Sequence, residues 1–297
     1  MHVFERGWLS ANNILFTDGD QTLMVDSGYC THAAQTLSLV KSVLGDRNLD
    51  VLVNTHLHSD HCGGNAALQA QYPSLHTLIP PGQAQQVTEW DAVALTYIST
   101  GQSCPPYKFS QTLLPGSEIW FSAKKWEVHA AGGHDPHALI FFNSENKLLI
   151  SGDALWENGF GVVFPELEGE NAFEELGTTL DLIEYLNPKI VIPGHGAIFG
   201  YNREVLTIAR HRLNFFIQNP VKHARHAAKV LLKFKLLEIQ QQPISVFKQW
   251  AIETPYFEQI RVRFFKETSV SLWIDELFSE LISAGVAKEK AGYMLNV

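Results

Sequence analysis

The hydrophobic residues of the first 200 positions form short clusters that alternate between strand-like and helix-like spacing. Apolar runs at Asn13–Phe16 and Thr22–Val25 flank the turn residues Asp18-Gly19-Asp20, which predicts a β-hairpin. Across His32–Leu44 the apolar residues recur at helical spacing, and the run Val51–Val53 then predicts a buried strand. This alternation is typical of a β-sheet with helices packed on it.

The same pattern continues to about residue 200. Further strands are predicted at His76–Ile79, Ile119–Phe121, Trp126–Ala130, Leu139–Asn143, Lys147–Ile150 and Ile190–Ile192, and helices at Gly63–Gln71 and Phe173–Leu186. Residues 88–110 have no clear period, because Gly101, Pro105 and Pro106 interrupt it. We interpret that segment as an excursion beside a functional site.

Beyond Tyr201 the pattern becomes helical. Helices are predicted at Glu204–Ile217, Val221–Gln240, Ser245–Ala251 and Ser269–Ala284, and a small hairpin at Val286–Leu295. The last three helices and the hairpin together outline a winged-helix-like module, although a helical cap that completes the core fits equally well. We predict one domain at residues 1–200 and a second at residues 201–297.

Composition and charge support two modules with different surfaces. The chain has 297 residues, of which 45% are hydrophobic and 18% charged, an ordinary globular composition. Its net charge is −9, but residues 1–200 carry −14 and residues 201–297 carry +5. Such asymmetry indicates separate modules, with a chance spread of surface charge as the alternative.

The cysteines and the apolar runs point to a cytoplasmic protein. Cys30, Cys62 and Cys104 are scattered and odd in number, so they predict no disulfide framework. The N-terminal residues lack a basic start followed by an apolar segment, and no apolar run approaches the ~20 residues of a membrane span. We therefore expect no membrane partner.

The stretch NTHLHSDHCGG at residues 54–64 is the strongest chemical signal in the chain. A chain of this length contains the pattern H-x-H-x-D-H by chance only about once in a thousand. His56 and His58 are two residues apart at a strand end, so their side chains can converge, whereas Asp60 and His61 lie on the following turn. Imidazole and carboxylate groups bind zinc, iron or manganese. Two histidines cannot complete a metal site, so further ligands are expected elsewhere.

Candidate partners follow three other predicted strands. They are His134 in Gly132–His137, Asp153 in Ser151-Gly152-Asp153, and His195 in Pro193–Gly196. Each is a weak signal alone, because Gly-His-Gly is more often a turn and an aspartate after Ser-Gly is usually a cap. The strong motif reverses both interpretations because it requires partners. The other histidines match no motif and are expected to be structural: His2, His32, His76, His129, His211, His223 and His226.

Taken in order, NTHLHSDHCGG, GGHDPH, SGDALWENGFG and IPGHGAIFG resemble the ligand motifs of the metallo-β-lactamase-fold hydrolases, including glyoxalase II-like proteins. The resemblance covers roughly residues 10–200. It implies an α/β fold, a four-layer αβ/βα sandwich, here followed by the small helical, winged-helix-like C-terminal module. It also implies that His56, His58 and His134 bind one metal, that Asp60, His61 and His195 bind a second, and that Asp153 bridges the two. Asp60 and Asp153 would then be the catalytic carboxylates.

One departure from the family pattern concerns GGHDPH, the second of these motifs. His134 is followed by Asp135, Pro136 and His137, where the family commonly has Thr or Ser, then Pro or Ser, then Gly. The position of Pro136 favours His134 as the ligand, with His137 as the alternative. Asp135 can instead orient a ligand imidazole from outside the metal shell.

The resemblance implies a binuclear metal-dependent hydrolase that uses a metal-bound hydroxide on a small ester, thioester or lactone. Two zinc ions per chain suit the ligands best, with iron or manganese as alternatives. Asp153 resembles the bridging carboxylate of the thioesterase, lactonase and nuclease branches, which disfavours a β-lactamase. Residues 88–110 and Trp156–Glu170 are the expected pocket walls. The sequence does not predict the oligomeric state.

Two alternative functions stay open. One is an endoribonuclease or phosphodiesterase whose basic C-terminal module guides nucleic acid through Lys222, Arg225, Lys229, Lys233 and Lys235. The other is a non-catalytic, metal-binding regulatory protein. The −14 charge of residues 1–200 would repel a polyanion and favours a small-molecule substrate over RNA.

Overall fold

The computed structural model describes residues 1–121 and 123–297. The chain divides into two compact units, one made of residues 1–95 and 103–214 and the other of residues 96–102 and 215–297. The division falls within helix α7 (Arg203–Gln218), whereas the predicted boundary between residues 200 and 201 lies just before that helix.

The larger unit contains, within its described residues, two six-stranded sheets in which the strands follow one another in chain order. In the first sheet β1 to β3 pair antiparallel and β3 to β6 pair parallel. Its strands are β1 (His2–Phe4), β2 (Asn13–Phe16), β3 (Leu23–Val25), β4 (Val51–Val53), β5 (His76–Ile79) and β6 (Gln111–Thr112).

The second sheet is antiparallel except for one pair of strands. Its strands are β7 (Glu118–Phe121), β8 (Lys124–Ala130), β9 (Leu139–Asn143), β10 (Leu148–Gly152), β11 (Ile190–Pro193) and β12 (Phe199–Gly200). Strands β10 and β11 are parallel, so a crossover must connect them, and helix α6 (Ala172–Leu186) lies in that connection.

The core lies between the two sheets because successive side chains of each strand point to opposite faces. Ile14 and Phe16 belong to a buried cluster with Trp126 and Phe141 of the second sheet. Leu15, one residue away, is buried instead among side chains of helices α1 (Ala33–Leu44) and α3 (Asn65–Gln71). The inner faces therefore meet each other, and helices cover the outer face of the first sheet.

Helix α6 supplies the fourth layer. The hydroxyl of Thr179 donates to the carbonyl of Gly132 at 2.8 Å, and Lys147 donates to the carbonyl of Leu186 at 3.5 Å. The outward side chains Phe142 and Leu149 of the second sheet are fully buried. The predicted α/β fold, a four-layer αβ/βα sandwich with a helical C-terminal region, is thus confirmed.

Short helices connect the strands of the larger unit. They are a 3₁₀ turn at Cys30–His32, α2 (Ser59–Cys62), a 3₁₀ turn at Pro81–Gln83, α4 (Ala84–Glu89) and α5 (Phe164–Glu168). The sequence pattern did not predict α4, α5 or strands β1, β6 and β12, because elements of two to six residues are too short to show a period.

The smaller unit is built from helices and a sheet. Its elements are α8 (Pro220–Ile239), β13 (Gln241–Pro243), α9 (Ile244–Glu253), α10 (Pro255–Phe264), α11 (Val270–Ser283), β14 (Ala287–Lys290) and β15 (Tyr293–Asn296). β14 and β15 form the predicted hairpin, and β13 adds to it antiparallel. Phe247 stacks on Phe278, with ring centroids 4.9 Å apart, in the core of this unit. Helix α10 was not predicted.

Among the described residues, no helix has both the length and the apolar character needed to cross a bilayer.

Candidate metal centre

The ends of several strands bring the predicted ligands together. His56 follows β4, His134 lies in the loop after β8, Asp153 follows β10 and His195 follows β11. The turn after β11 is tied to the turn after β10, because the amide of Gly194 donates to the carbonyl of Gly152 at 2.7 Å. A Cβ atom at Gly194 would lie 2.1 Å from Oδ1 of Asp153, so only glycine allows the two turns to approach this closely.

His56, His58 and His134 form what we call the histidine group. Nδ1 of His58 lies 3.1 Å from Nε2 of His56 and 2.8 Å from Nε2 of His134. Nδ1 of His134 lies 2.6 Å from the carbonyl of Val162 and must be its donor, so Nε2 of that neutral ring carries a lone pair. Three ring nitrogens therefore converge on one point.

The histidine group is uncharged at neutral pH. Burial, and after it the neighbouring His58, lowers the pKa of His134 to about 4. Burial also lowers the pKa of His58, and that of His56 well below its ordinary value. Neutral imidazole is the form that binds a metal ion.

Asp60, His61, Asp153 and His195 form the mixed group. Nε2 of His195 donates to Oδ2 of Asp60 at 3.0 Å and lies 3.7 Å from Oδ2 of Asp153. Nε2 of His61 lies 3.4 Å from Oδ1 of Asp153 and 4.0 Å from Oδ2 of Asp60. The potential ligand atoms of this group all lie within 4.8 Å of one another.

The mixed group is rich in negatively charged carboxylates. Burial disfavours the charged form of His61, but Asp153, Asp26 and Asp60 outweigh it and raise the pKa of His61 well above its ordinary value. Burial also opposes ionisation of Asp153, yet the charges of His195 and His61 hold the pKa of Asp153 well below the usual range. Carboxylates concentrated around one imidazole are a suitable environment for a cation.

Asp153 connects the two groups. Its Oδ2 lies 3.5 Å from Nε2 of His134, and its Oδ1 lies 3.4 Å from Nε2 of His61. The side chain is almost fully buried. One carboxylate thus presents an oxygen to each group.

The residues of each group are chemically suited to hold a divalent cation. Nε2 of His61 is buried and has no hydrogen-bond partner within residues 1–121 and 123–297, although it faces carboxylates. In the histidine group, Nδ1 of His58 lies at hydrogen-bond distance from two other ring nitrogens, and the single proton that it can carry cannot point at both. Imidazole and carboxylate donors of this kind suit zinc, iron or manganese.

Asp26 is a site residue that the sequence analysis missed. Its Oδ2 accepts a hydrogen bond from Nδ1 of His61 at 2.7 Å, and its Oδ1 accepts from the amide of Thr55 at 2.9 Å. The first bond leaves Nε2 of His61 free to face the metal position. The signal was present, since Val25-Asp26-Ser27-Gly28 is another aspartate at the end of a buried strand.

The loop between β1 and β2 also contributes, and the sequence analysis missed it. The side-chain amide of Asn12 donates to the carbonyls of Pro193 and Gly196, at 2.9 and 2.8 Å, and so braces the turn that carries His195. Trp8 stacks on His195, with ring centroids 5.6 Å apart and planes 10° apart. No ligand-type motif marks this loop.

The motif GGHDPH places Asp135 and His137 differently. His137 belongs to neither group of candidate ligands, whereas Asp135 is buried with Oδ2 at 3.8 Å from Nε2 of His58. Of the expected pocket walls, Trp156 lies against the site, since its Nε1 donates to Oδ1 of Asp153 at 3.2 Å. Phe160 is fully buried instead.

Curated proteins similar to this chain include two hydroxyacylglutathione hydrolases. The protein from Bdellovibrio bacteriovorus is 29% identical over 147 residues, which are 49% of this chain and 48% of that protein. The protein from Brucella anthropi is 24% identical over 151 residues, or 51% of this chain and 46% of that protein. The chain spans about half the length of these relatives. A probable metallo-hydrolase of Methanocaldococcus jannaschii is 24% identical over 65% of this chain and 91% of its own length.

Solved structures share the fold. A metallo-beta-lactamase family protein from Thermus thermophilus superposes with a TM-score of 0.60 at 16% identity, covering 100% of this chain and 98% of that one. TTHA1623, solved in a di-iron-bound form, superposes with a TM-score of 0.55 at 23% identity over 70% of this chain and 96% of that one.

The match to a family model shows to which superfamily the chain belongs. The model of the Metallo-beta-lactamase superfamily matches residues 6–195, well over half of the chain, and the match spans both groups of candidate ligands. The chain belongs to the metallo-beta-lactamase superfamily.

Proposed function

We propose that the protein is a binuclear metal-dependent hydrolase that cleaves a small acyl thioester or ester. The observation that carries this proposal is the position of Asp153, whose two oxygens lie 3.5 Å from His134 and 3.4 Å from His61. A carboxylate shared in this way is the feature expected of a two-metal site rather than of two separate sites.

In this proposal the histidine group holds one cation, and Asp60, His61 and His195 hold the other, with Asp153 shared. When bound, the cations would lower the pKa of a coordinated water molecule and polarise the carbonyl of the substrate. Burial opposes ionisation of Asp60, but the charge of His61 and the hydrogen bond from His195 lower its pKa. Asp60 is therefore held as a carboxylate that coordinates rather than as a proton carrier.

Zinc is the metal we propose first. The seven candidate ligands are five imidazoles and two carboxylates, a set that favours zinc and also suits iron and manganese. The di-iron form of TTHA1623 supports keeping iron as the alternative.

The substrate class is proposed from the relatives and from charge. The similar proteins from Bdellovibrio and Brucella are hydroxyacylglutathione hydrolases, which supports a small acyl thioester. An ester or lactone carries the same electrophilic carbonyl and is the next candidate.

The basic residues of α8 weigh against a nucleic-acid substrate. Arg225 pairs with Glu276 at 2.7 Å and with Glu280 at 2.6 Å, and Lys229 pairs with Glu280 at 2.8 Å. Lys233 donates to the carbonyl of Val286 at 2.7 Å. Arg225 and Lys229 are thus neutralised by carboxylates of their own unit, which reduces the positive charge that α8 offers to phosphates.

Helix α11 has no basic residue of its own to offer a nucleic acid. Of its three acidic residues, Glu276 and Glu280 pair with α8, and Asp275 pairs with Lys248 at 2.6 Å.

The test is a substrate panel on one metal-loaded preparation. We would assay S-acyl glutathione, an aliphatic lactone, a β-lactam, bis-(p-nitrophenyl) phosphate and single-stranded RNA with protein loaded separately with Zn²⁺, Mn²⁺ and Fe²⁺. The expected result is fastest turnover of the thioester, lost on chelation and restored by the metal.

Three results would contradict the proposal. Preferred cleavage of RNA or the phosphodiester would favour the nuclease alternative. Bound metal without turnover of any of the five substrates would favour a regulatory role. Fewer than one metal per chain after loading would contradict the metal centre itself.

A further inference from the structure

The ligand histidines differ in how their outer ring nitrogens are held. Nδ1 of His61 lies 2.7 Å from Asp26, Nδ1 of His134 lies 2.6 Å from the carbonyl of Val162, and Nδ1 of His56 lies 3.1 Å from the hydroxyl of Thr55. Nδ1 of His195 is buried and has no hydrogen-bond partner in the described parts of the chain. His195 therefore lacks the kind of polar support that the other three have.

This difference matters for metal binding. Nε2 of His195 faces Asp60 and Asp153, so it is the atom that would coordinate a cation. Coordination through Nε2 requires the proton to sit on Nδ1, where an acceptor normally fixes the orientation of the ring. Since the described residues supply no such acceptor, something else must hold the ring.

The indole of Trp8 holds the His195 ring in place of a hydrogen-bond acceptor. It lies parallel to His195, with centroids 5.6 Å and planes 10° apart. Trp156 meets the same imidazole at 78°, also with centroids 5.6 Å apart, and contacts Trp8 edge to face at 5.3 Å. The two indoles therefore restrict the imidazole by packing.

The loop that carries Trp8 is built onto the ligand turns. The amide of Ala11 donates to the carbonyl of Asp60 at 2.9 Å, and the amide of Asn12 donates to the carbonyl of Gly194 at 2.7 Å. Within the loop, the amide of Arg6 donates to Oδ1 of Asn12 at 2.9 Å. Trp8 is thus anchored to the same backbone that positions His195.

We propose that Trp8 is a positioning residue that orients His195 by stacking and thereby sets the metal affinity of the mixed group. An imidazole that coordinates a divalent cation is electron-poor, so its attraction to the electron-rich face of an indole increases when the metal binds. The proposal rests on the proposed two-metal function. It assigns the loop between β1 and β2 a role in holding the metal of the mixed group and none in holding the metal of the histidine group.

The test compares four proteins by titration with Zn²⁺. Metal-free wild type, Trp8→Ala, Trp8→Phe and Trp120→Ala would be titrated in a calorimeter, which resolves the two binding steps without any assay of activity. Trp120 is the matched control, because it is 63% exposed on β7 and belongs to neither group of candidate ligands. Circular dichroism and Tm would verify that all four proteins are folded.

We expect Trp8→Ala to weaken one of the two binding steps about tenfold, the smaller of the losses seen when an outer partner of a ligand is removed. The other step should be unchanged. Trp8→Phe keeps an aromatic face and should recover most of the affinity, and Trp120→Ala should match the wild type.

Two results separate the failure of this inference from the failure of the proposed function. If wild type takes up two Zn²⁺ and Trp8→Ala binds both as tightly, or if both steps weaken equally, the inference is wrong and the two-metal centre stands. If wild type takes up no Zn²⁺, the proposed function is wrong and the inference falls with it.

Discussion

The two groups of candidate ligands lie side by side, yet their side chains differ in charge. The histidine group is neutral, because burial lowers the pKa of each of its imidazoles. The mixed group contains Asp60 and Asp153, borders Asp26, and raises the pKa of His61. The first offers lone pairs and the second offers negative charge.

The difference teaches how each metal would depend on its surroundings. Carboxylates attract a cation from a distance, whereas neutral imidazoles must be aimed at it, so orientation matters most for the histidines. A charged hydrogen bond to Asp26 orients His61, whereas packing against the indoles of Trp8 and Trp156 orients His195. We therefore expect the two metals to be bound with unequal affinity, and substitutions can separate them.

The largest effect is expected from removing a ligand of the histidine group. His58→Ala deletes the nitrogen that lies within 3.1 Å of both His56 and His134. Loss of only an outer partner already costs about 10- to 100-fold, so we expect turnover to fall by more than about 100-fold. Metal content by mass spectrometry and kcat/KM on the best substrate measure this. Retained metal together with full turnover would show that His58 is not a ligand.

The next largest effect is expected at the shared carboxylate. Asp153→Asn keeps the size of the side chain but removes the charge and one of the two ligand oxygens. We expect the metal of the histidine group to remain and the metal of the mixed group to bind about 100-fold more weakly. That is the upper end of the affinity losses seen when an outer partner of a ligand is removed. Zn²⁺ titration of the variant measures both steps. Unchanged stoichiometry and rate would exclude a bridging role.

A smaller effect is expected at the outer partner of His61. Asp26 has a positive φ of 55°, which asparagine tolerates, but the NH2 group of asparagine would replace the oxygen that accepts from the amide of Thr55, so the Tm of Asp26→Asn is measured first. The amide oxygen can still accept from His61 but no longer carries charge, and we expect the second metal to bind about tenfold more weakly. The same titration would detect the change. If the metal of the histidine group were bound more weakly instead, Asp26 would not support the mixed group as assigned.

The smallest effect is expected at the corresponding position of the histidine group. Asp135 lies 3.8 Å from Nε2 of His58, too far for a hydrogen bond. Its Oδ1 accepts from the amide of His137 at 2.7 Å, a bond that asparagine can keep. We expect Asp135→Asn to change the affinity for either metal by less than about threefold. A change as large as that of Asp26→Asn would mean that the two outer carboxylates are equivalent.

Much of the fold could be predicted from the sequence because the strands are marked by their own side chains. Asn13–Phe16, Val51–Val53 and Leu139–Asn143 lie where the apolar pattern predicted them. Helix α10 could not be predicted from that pattern, because Pro255 follows closely on the end of α9 and the ten residues of α10 mix apolar and charged positions. Strands β6 and β12 have two residues each and are defined only by their partners.

The residues of the candidate site likewise divide into those that the sequence predicts and those that it does not. His56, His58, Asp60 and His61 are recognisable because four ligand-type residues within six positions are improbable by chance. Asp26 has the same chemistry, but it is single and 35 residues from the imidazole that it orients. Its role depends on β3 and β4 being neighbours in the sheet.

The sequence by itself determined which residues are candidate metal ligands, and that they lie at strand ends. Those properties are local, since they depend on residue type and on spacing along one strand. Only the tertiary structure decided that Asp153 faces both groups, that Asp26 holds His61, and that Trp8 covers His195. These contacts join residues up to 187 positions apart, and their geometry is set by the register of the sheets rather than by any pattern along the chain.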